Sequence, residues 1–482
     1  MSLAIRFRWK IYIIWGIALL IACAGFLAKR YKVTQVAFSL QEGARLYING
    51  EEAVPSFDPN IMSYSPASWK VGYPNTIAFG KDVKTVQTNR LRRGKHIVIK
   101  IGNKKYKLEL FPKIMPSYEI LENKSQPGVL LFTELEGSCR HPSYAYAIDT
   151  VGNLLYYRRN SKGKCVADFK KTVLPDGTVL FSVMEQEYPL PPFKYWLGSL
   201  VVMDKYFNPL QRLQLLATDK HPTLGVENHD SLILGKDHFI LSSYYHTEAM
   251  VPGQEYPSRV AATVLQEIKD GKVLLDWKST DYPQLYASCL GECSWQKVGY
   301  QDYLHFNSVV VDPTDNNLLL SFAGSSSVIK IDRHTGKILW TLGGLADDFN
   351  LTEDQLFVSQ HSLSFLPSGE LMLFDNHSTG LAFERGNLLQ ASDVGERSRI
   401  VILKLDEKNR KVISFRTINL PILSQFMGGV YSSPQGTFIV SYGSYSEMAV
   451  QEVDEKANIL FSMSLWPPSR HTYRVYKYDS LE

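Results

Sequence analysis

The feature that most constrains the fold of this chain is a unit of strand, polar turn and strand that recurs along the sequence. Three copies begin with a histidine: "HDSLILGKDHFILSS" at His229, "HFNSVVVDPTDNNLLLS" at His305 and "HSLSFLPSGELMLFD" at His361. Related pieces without the histidine are "YAYAIDTVGNLLYYRR", "KTVLPDGTVLFSVME" and "GGVYSSPQGTFIVSY". The copy at His305 runs on through "VIKIDRHTGKILWTLGG", which adds two more apolar strands. Repeats of this kind, about 40–50 residues long, are typical of stacked β-sheets.

About six such units predict a six-bladed β-propeller over residues 113–482. A four-stranded antiparallel sheet cannot bury both of its faces alone, whereas a ring of sheets buries each face against the next. The late strand "TYRVYKY" is expected to pair with the first unit and close the ring. Shorter strands such as "ARLYING" and "HIVIKIG" predict a small β-sandwich over residues 34–112. The expected fold class is therefore all-β.

The N-terminus predicts a membrane anchor over residues 1–33. Arg6, Arg8 and Lys10 precede the uncharged run "IYIIWGIALLIACAGFLA" of 18 residues, which "KRYK" follows. As a helix this run would cover about 27 Å, enough to span the hydrocarbon core of a bilayer. The stretch "LIAC", ending at Cys23, resembles a lipoprotein cleavage box and is the alternative. Because the apolar run continues beyond Cys23, we expect an uncleaved anchor and an exported remainder of the chain.

Cysteines and charge narrow the setting of the protein further. Beyond the anchor there are four cysteines, Cys139, Cys165, Cys289 and Cys293, which would suit two disulfides in an oxidising compartment; four free thiols are the alternative. The formal net charge of +4 is spread over 482 residues and forms no basic stripe, so nothing points to nucleic-acid binding.

The histidines that begin three of the units share one register. In a propeller the first strand of each blade lines the central channel, so a residue at its head faces the channel mouth. The position six residues before the turn proline is His361 in one unit, but Phe169 and Gly428 in two others. His229 and His305 head their strands in the same way. The histidine is therefore not part of the structural repeat, and three imidazoles are expected to meet at one end of the channel.

Three converging imidazoles allow two kinds of chemistry. Imidazole titrates near neutral pH, so one ring could act as a nucleophile while another donates a proton or a hydrogen bond. Three imidazoles could equally bind zinc and leave a fourth position open. No carboxylate stands in the same register, although Asp230 and Asp302 are close in sequence. Spacing alone does not separate the two.

The motifs "HFNSVVVDP…VIKIDRHTGKILWTLGG", "SQHSLSFLPSGELMLFDN" and "SRIVILKLDEKN" are long, ordered and regularly spaced. Through them the chain resembles, from about residue 35 onward, the bacterial PAPS-independent arylsulfate sulfotransferases. The resemblance implies a periplasmic protein with a small β-sandwich before a six-bladed propeller. It also implies transfer of a sulfuryl group from a phenolic sulfate ester to a phenol, by a ping-pong reaction through a sulfohistidine and without a cofactor, nucleotide or metal.

The resemblance assigns roles to four residues. His361, in "QHS", matches the nucleophile of the family. His305 and Asn307, in "HFN", match the pair that contacts the sulfuryl oxygens, and His229, in "NHD", matches a third active-site histidine. These roles suit the chemistry, because attack at sulfur needs a neutral imidazole nitrogen, donors for the sulfuryl charge and an acid for the leaving phenolate.

One position departs from the family pattern. The family has an arginine shortly after the second strand of the His305 unit, where this chain has Gly324 in "SFAGSSSVIKI". A guanidinium is well suited to forked hydrogen bonding with a sulfuryl group. Arg399 and Arg474 are candidates to replace it from other strands, and Ser325 to Ser327 offer hydroxyl donors nearby.

Three functions therefore compete. The first is an anchored, exported sulfotransferase whose partners are a small phenolic sulfate donor and a phenol acceptor. The second is a propeller that has lost transfer activity with the arginine and binds a ligand or a protein. The third, ranked last, is a metal-dependent hydrolase built on the three histidines. A monomer or an oligomer is compatible with the sequence.

Overall fold

The computed structural model describes residues 36–65, 74–87, 96–109, 117–135, 139, 143–160, 164–191, 195–290, 293, 295, 299–377 and 396–482. The predicted anchor over residues 1–33, with Cys23, lies outside these ranges. No helix within them is long and apolar enough to cross a membrane. The described residues are almost entirely β-structure and form two compact units, divided between Met115 and Pro116.

The first unit consists of two four-stranded sheets. Its strands are β1 (Val36–Phe38), β2 (Leu46–Ile48), β3 (Glu51–Glu52), β4 (Ser63–Tyr64), β5 (Pro74–Phe79), β6 (Asp82–Gln87), β7 (His96–Ile101) and β8 (Lys104–Glu109). The sheet orders are β1-β7-β8-β4 and β3-β2-β5-β6. The ring of Phe57 lies 4.8 Å from that of Phe79 in one sheet and 5.5 Å from that of Tyr106 in the other. One aromatic core therefore serves both sheets.

The second unit contains six consecutive sheets among its described residues. Its first strands are β9 (Ser117–Asn123), β10 (Val129–Glu134), β11 (Tyr144–Asp149), β12 (Leu154–Arg159), β13 (Cys165–Val173), β14 (Val179–Leu190), β15 (Tyr195–Asp204), β16 (Pro209–Leu213), β17 (Leu232–Gly235), β18 (His238–Ala249), β19 (Ser258–Lys269) and β20 (Lys272–Lys278). The others are β21 (Phe306–Val311), β22 (Leu318–Phe322), β23 (Ser327–Ile331), β24 (Ile338–Gly343), β25 (His361–Phe365), β26 (Leu371–Asp375), β27 (Arg399–Asp406), β28 (Lys411–Asn419), β29 (Gly429–Ser432), β30 (Phe438–Ser441), β31 (Val450–Val453), β32 (Ile459–Trp466) and β33 (Val475–Tyr478).

Four of the sheets are built only from strands that follow one another along the chain, whereas the first also includes β33 and the last also includes β9. The orders are β33-β10-β11-β12, β13-β14-β15-β16, β17-β18-β19-β20, β21-β22-β23-β24, β25-β26-β27-β28 and β29-β30-β31-β32-β9. Short 3₁₀ helices at Ser279–Asp281, Pro283–Ser288, Ala323–Ser325 and Glu353–Gln355 occupy some of the connections. Consecutive antiparallel strands with tight turns are what the alternation of apolar runs and Asp, Asn and Gly clusters encodes.

The first strands of the sheets are linked in a closed circuit. Strand β21 packs against β25, β25 against β29, β29 against β33, and β33 against β13. Between β13 and β21, the carboxylate of Asp230, just before β17, accepts hydrogen bonds from Lys170 in β13 (2.9 Å) and Ser308 in β21 (3.0 Å). The circuit is the propeller-like arrangement that the repeat predicts.

The last strand closes this circuit, as the sequence predicts. Strand β33 pairs antiparallel with β10, with Tyr476 opposite Leu131. The residues just before it are held by a further bridge between His471 and Leu135. Ring closure therefore carries Thr472, Tyr473 and Arg474, which are all buried, into the centre of the unit.

The four cysteines form two disulfides, as expected, and the structure gives the pairing that the sequence left open. Cys139 is bonded to Cys165 at the start of β13, and Cys289 is bonded to Cys293 in the connection that follows β20. The first bond joins residues 26 apart in sequence and fastens the connection after β10 to the next sheet.

Candidate active site

The three histidines that share a register in the sequence lie at the heads of three successive inner strands. His229 precedes β17, His305 immediately precedes β21, and His361 is the first residue of β25. The rings of His229 and His305 lie 5.3 Å apart. The ring of Tyr473, from the strand that closes the circuit, is 5.6 Å from His229 and 6.2 Å from His361. The fold thus brings three imidazoles and a phenol together.

His361 is held by neutral acceptors. Its Nδ1 lies 2.9 Å from the Ser359 carbonyl oxygen and 2.8 Å from Oδ1 of Asn376. The amide orientation of Asn376 is fixed, because its Nδ2 donates to two carbonyl oxygens, those of Ser424 and Met427, at 2.9 Å each. Nδ1 of His361 must therefore carry the proton, and Nε2 keeps its lone pair.

The imidazole of His361 is also kept uncharged. Its side chain is buried, and burial together with the neighbouring rings of His305 and His229 lowers its pKa to about 3. The hydrogen bonds to Asn376 and Ser359 act in the opposite direction but do not outweigh burial. At neutral pH, His361 is therefore a neutral base with an unprotonated Nε2.

His229 is held by a buried carboxylate. Its Nδ1 forms a short hydrogen bond with Oε2 of Glu227, which also accepts the backbone N–H of His229 at 2.8 Å. The other carboxylate oxygen of Glu227 accepts the Ser242 hydroxyl at 2.6 Å and the backbone N–H of Asp230 at 3.2 Å. These four contacts fix the ring and place a negative charge beside it.

His305 has a carboxylate partner as well. Its Nδ1 lies 2.7 Å from Oδ2 of Asp302, which also receives a short hydrogen bond from the Tyr195 hydroxyl. Burial would raise the pKa of Asp302, but the charge and hydrogen bonds of His305 and the Tyr195 hydroxyl lower it below its usual value. Asp302 is thus ionised and can balance a protonated His305 ring.

Asn307 and Arg474 belong to a buried polar network beneath the histidines. Nδ2 of Asn307 donates to the Gln360 carbonyl at 2.7 Å, while its Oδ1 has no partner among the described residues. Arg474 donates to the Asn307 carbonyl at 2.7 Å and pairs with Asp230 at 3.1 Å. Burial would raise the pKa of Asp230, but Arg474 and Lys170 lower it to about 2. The Arg474 charge is therefore already neutralised within the protein.

Arg399 is committed elsewhere. Its Nε donates to Asp375 at 2.8 Å, and its guanidinium also makes a short hydrogen bond to the carbonyl of Leu356. The same carboxylate of Asp375 accepts the backbone N–H groups of Val358 (2.9 Å) and His377 (2.8 Å). These contacts fix the segments on either side of the strand pair that begins with His361, and none of them is with a histidine ring.

Gly324 stands where the family pattern has an arginine, and its backbone packs closely against Leu304 and His305. Its backbone N–H donates to the Leu304 carbonyl oxygen at 2.7 Å, and a Cβ at residue 324 would lie 2.8 Å from that oxygen and 3.3 Å from Cβ of His305. A side chain of any size would therefore push against the segment that carries His305. Ser325 and Ser327 bond to each other at 2.7 Å, and the Ser326 hydroxyl accepts the backbone N–H of Ser359 at 3.1 Å.

Aromatic rings surround the histidines. Tyr195 stacks on Tyr244 at 4.3 Å, and Tyr195 lies 5.5 Å from the ring of His305. A second stack is formed by His246, two residues after Tyr244 in β18, and Tyr300, whose ring centres lie 3.9 Å apart. Flat apolar faces beside polar groups are what a phenolic ligand requires.

The three histidines do not form a metal-like cluster. Within the described ranges, the group whose ligand atoms all lie within 4.8 Å of one another is Asp312, Asp315 and Glu407. Nζ of Lys330 sits among these carboxylates, at 2.8 Å, 2.8 Å and 2.7 Å. That cluster is therefore a closed set of ion pairs.

Four residues contact the histidines although the sequence did not predict these contacts. Glu227 and Asp302 lie only two and three residues before their histidines, and Asn376 stands directly after the strand that pairs with His361. Short spacing to a histidine was the available signal for Glu227 and Asp302, and the position directly after the paired strand was the signal for Asn376. Tyr473 carried no such signal, because it is more than a hundred residues from His361 and arrives only through ring closure.

Structural relatives are distant. A Bacteroides caccae protein of unknown function has a TM-score of 0.40 at 13% identity, over 70% of this chain and 93% of that one. The periplasmic gluconolactonase PpgL of Pseudomonas aeruginosa gives 0.39 at 12%, over 74% and 100%. The β-propeller domain of Myceliophteria thermophila Cps50 gives 0.33 at 9%, over 72% and 99%.

The sequence itself matches no curated protein. The family model described as arylsulfotransferase (ASST) matches residues 170–465, which is more than half of the chain and includes all three histidines. The chain belongs to the arylsulfotransferase family.

Proposed function

We propose that the protein transfers a sulfuryl group from a phenolic sulfate ester to a phenolic acceptor, in two steps through a sulfohistidine at His361. The observation that carries the proposal is the contrast between the partners of the three rings. His361 is bound by a carbonyl and a neutral amide, whereas His229 and His305 are bound by carboxylates. A neutral partner favours a free-base nucleophile, and a carboxylate partner favours a ring that can hold a proton.

In the first step, Nε2 of His361 attacks the sulfur of the donor. The N–S bond forms while the ester S–O bond breaks, and the electron pair leaves on the phenolate oxygen. A protonated ring, which we assign to His229, gives its proton to that oxygen, and Glu227 stabilises the charge of the ring before transfer. His305 and Asn307 contact the sulfuryl oxygens. The acceptor phenol then returns its proton to His229 and takes the sulfuryl group from His361.

The surroundings suit aromatic partners better than aliphatic ones. The stacked rings of Tyr195 and Tyr244 lie within 6.3 Å of His229, and Tyr195 is also close to His305. Edge and face contacts between aromatic rings contribute about 0.5–1.5 kcal/mol each beyond burial. Arg474 and Arg399 are assigned positioning roles, because both are already bound to carboxylates.

The proposal extends to architecture and location. The six sheets are the blades of a six-bladed propeller, which follows a small β-sandwich domain. Residues 1–33 anchor the chain, and the rest is exported to the periplasm, where the two disulfides would form. A fusion of residues 1–40 to a phosphatase reporter that is active only after export would give active reporter, whereas an inactive fusion would contradict this location.

Initial-rate kinetics test the proposed reaction. With 4-nitrophenyl sulfate as donor and phenol as acceptor, double-reciprocal plots at several acceptor concentrations should be parallel. In the absence of acceptor, one equivalent of 4-nitrophenol should appear in a burst. His361→Asn should abolish the burst, while His334→Asn, an exposed histidine in a turn, should leave it unchanged. Intersecting lines, or steady phenol release without acceptor, would contradict the two-step transfer.

A further inference from the structure

A buried tyrosine hydroxyl beside the histidines has no hydrogen-bond partner within the described part of the chain. Tyr473 is 1% exposed, and its hydroxyl is among the buried side-chain oxygens without a partner. Buried hydroxyls are normally hydrogen-bonded, since burial without a partner costs free energy. A buried donor left open beside a candidate active site is therefore a reason to look for a ligand.

The position of Tyr473 matches the path of the transferring group. Its ring stands nearly perpendicular to those of His361 (86°) and His229 (84°), and it is close to both. In an in-line displacement, the nucleophile and the leaving oxygen lie on opposite sides of the sulfur, with three oxygens around the equator. With His361 as nucleophile and His229 at the leaving oxygen, Tyr473 flanks the line between them.

Each candidate to replace the family arginine already has a partner within the protein. Arg474 pairs with Asp230, and Arg399 pairs with Asp375. Two of the three serines after Gly324 bond to each other, and the third bonds to a backbone N–H. Tyr473 differs from these because its hydroxyl makes no hydrogen bond at all within the described residues, whereas Arg474 lacks a partner only at Nε and is otherwise held by Asp230 and the Asn307 carbonyl.

We propose that the Tyr473 hydroxyl donates a hydrogen bond to an equatorial sulfuryl oxygen during transfer, in the place of the family arginine. This inference rests on the proposed function. The tyrosine keeps its proton throughout, while the N–S bond forms at His361, the ester S–O bond breaks and the phenolate oxygen takes its proton from His229. Burial raises the pKa of Tyr473 well above its ordinary value, so the hydroxyl remains a donor at any pH at which the protein is folded.

Tyr473→Phe removes the hydroxyl and keeps the ring. The matched control is Tyr442→Phe. Tyr442 is also a buried tyrosine, but its hydroxyl donates to Gln451 (2.7 Å) and its ring is not in contact with the three histidines. We expect Tyr473→Phe to slow the 4-nitrophenol burst by about 10²–10³-fold, the usual effect of removing one donor from developing negative charge. Tyr442→Phe should leave the burst rate within about twofold of wild type.

Two further readouts separate the inference from the proposed function. The first is the affinity for 4-nitrophenyl sulfate in the His361→Asn background, with and without Tyr473→Phe, which needs no transfer to occur. The second is the size of the Tyr473→Phe effect for donors with leaving phenols of increasing basicity. Contact with an equatorial oxygen predicts the same loss for every donor.

The outcomes are distinct. A slower burst, or weaker binding in the His361→Asn background even if wild type releases no phenol, supports the hydrogen bond from Tyr473. Unchanged burst and unchanged binding would overturn it, whether or not the sulfohistidine forms. A loss that grows with the basicity of the leaving phenol would also overturn it, because Tyr473 would then serve the leaving oxygen.

Discussion

The protonation state of His361 gives the sharpest physical prediction. Its ordinary pKa is 6.5, and burial together with the rings of His305 and His229 lowers it to about 3. The difference of about 3.5 corresponds to about 5 kcal/mol against protonation in the folded state. At pH 5, about 1% of His361 rings should be protonated, compared with about 97% of rings with the ordinary pKa.

The perturbation is acidification from pH 7.5 to pH 5, followed by NMR on protein labelled with ¹³C at histidine Cε1. The signal of His361 is identified by its disappearance in His361→Gln. It should stay at the position of a neutral imidazole over the whole range. A titration of the His361 signal with a midpoint above pH 5 would refute the reasoning.

The same pKa has a consequence for stability with a definite sign. The unfolded chain takes up a proton at His361 below about pH 6.5, whereas the folded protein resists it down to about pH 3. The contribution of the neutral ring is therefore complete above pH 6.5 and is lost as the pH falls towards 3. The unfolding midpoint of wild type should fall more steeply between pH 6.5 and pH 4 than that of His361→Gln, and parallel falls would contradict it.

Three substitutions test the surroundings of the site. Arg474→Met leaves the buried carboxylate of Asp230 without one of its cations, so it should lower the free energy of unfolding, followed by thermal unfolding, by about 3 kcal/mol. The control is Arg212→Met at a half-exposed arginine, which should cost at most about 1 kcal/mol. Equal losses in the two variants would contradict the role of the buried network. Gly324→Ala should lower transfer activity because its Cβ would lie 2.8 Å from a carbonyl oxygen, whereas Gly299→Ala meets open space and should not. Asn376→Leu removes one of the two hydrogen-bond acceptors of His361 Nδ1 and should slow the phenol burst by about tenfold. An unchanged burst rate would show that Asn376 does not fix the tautomer of His361.

The fold was readable from the sequence because its signals are local. Alternating apolar strands, Asp and Gly turns and a repeating unit are each encoded within a few residues of one another. The closing strand could be foreseen too, since a ring of sheets needs a partner for its first strand. The convergence of His229, His305 and His361 followed from their place at the heads of inner strands.

The rest of the site depends on side-chain directions and on contacts between distant sheets. Asp302 was noticed beside its histidine, but only the structure shows that its carboxylate binds Nδ1. The sequence makes Arg474 a candidate substrate contact, but its commitment to Asp230 depends on residues from two other sheets meeting in space. Tyr473 reaches His361 only when β33 pairs with β10 and closes the circuit of sheets. No spacing rule within the sequence encodes the contacts of Arg474 and Tyr473.

The central claim, a sulfuryl group carried by His361, can be measured directly. The protein, incubated with 4-nitrophenyl sulfate and no acceptor, is digested under alkaline conditions that preserve the N–S bond and mapped by mass spectrometry. We predict one added sulfuryl group on the peptide containing His361, lost when phenol is added and absent in His361→Asn. An adduct on another residue, or phenol release with no adduct on any peptide, would contradict the account.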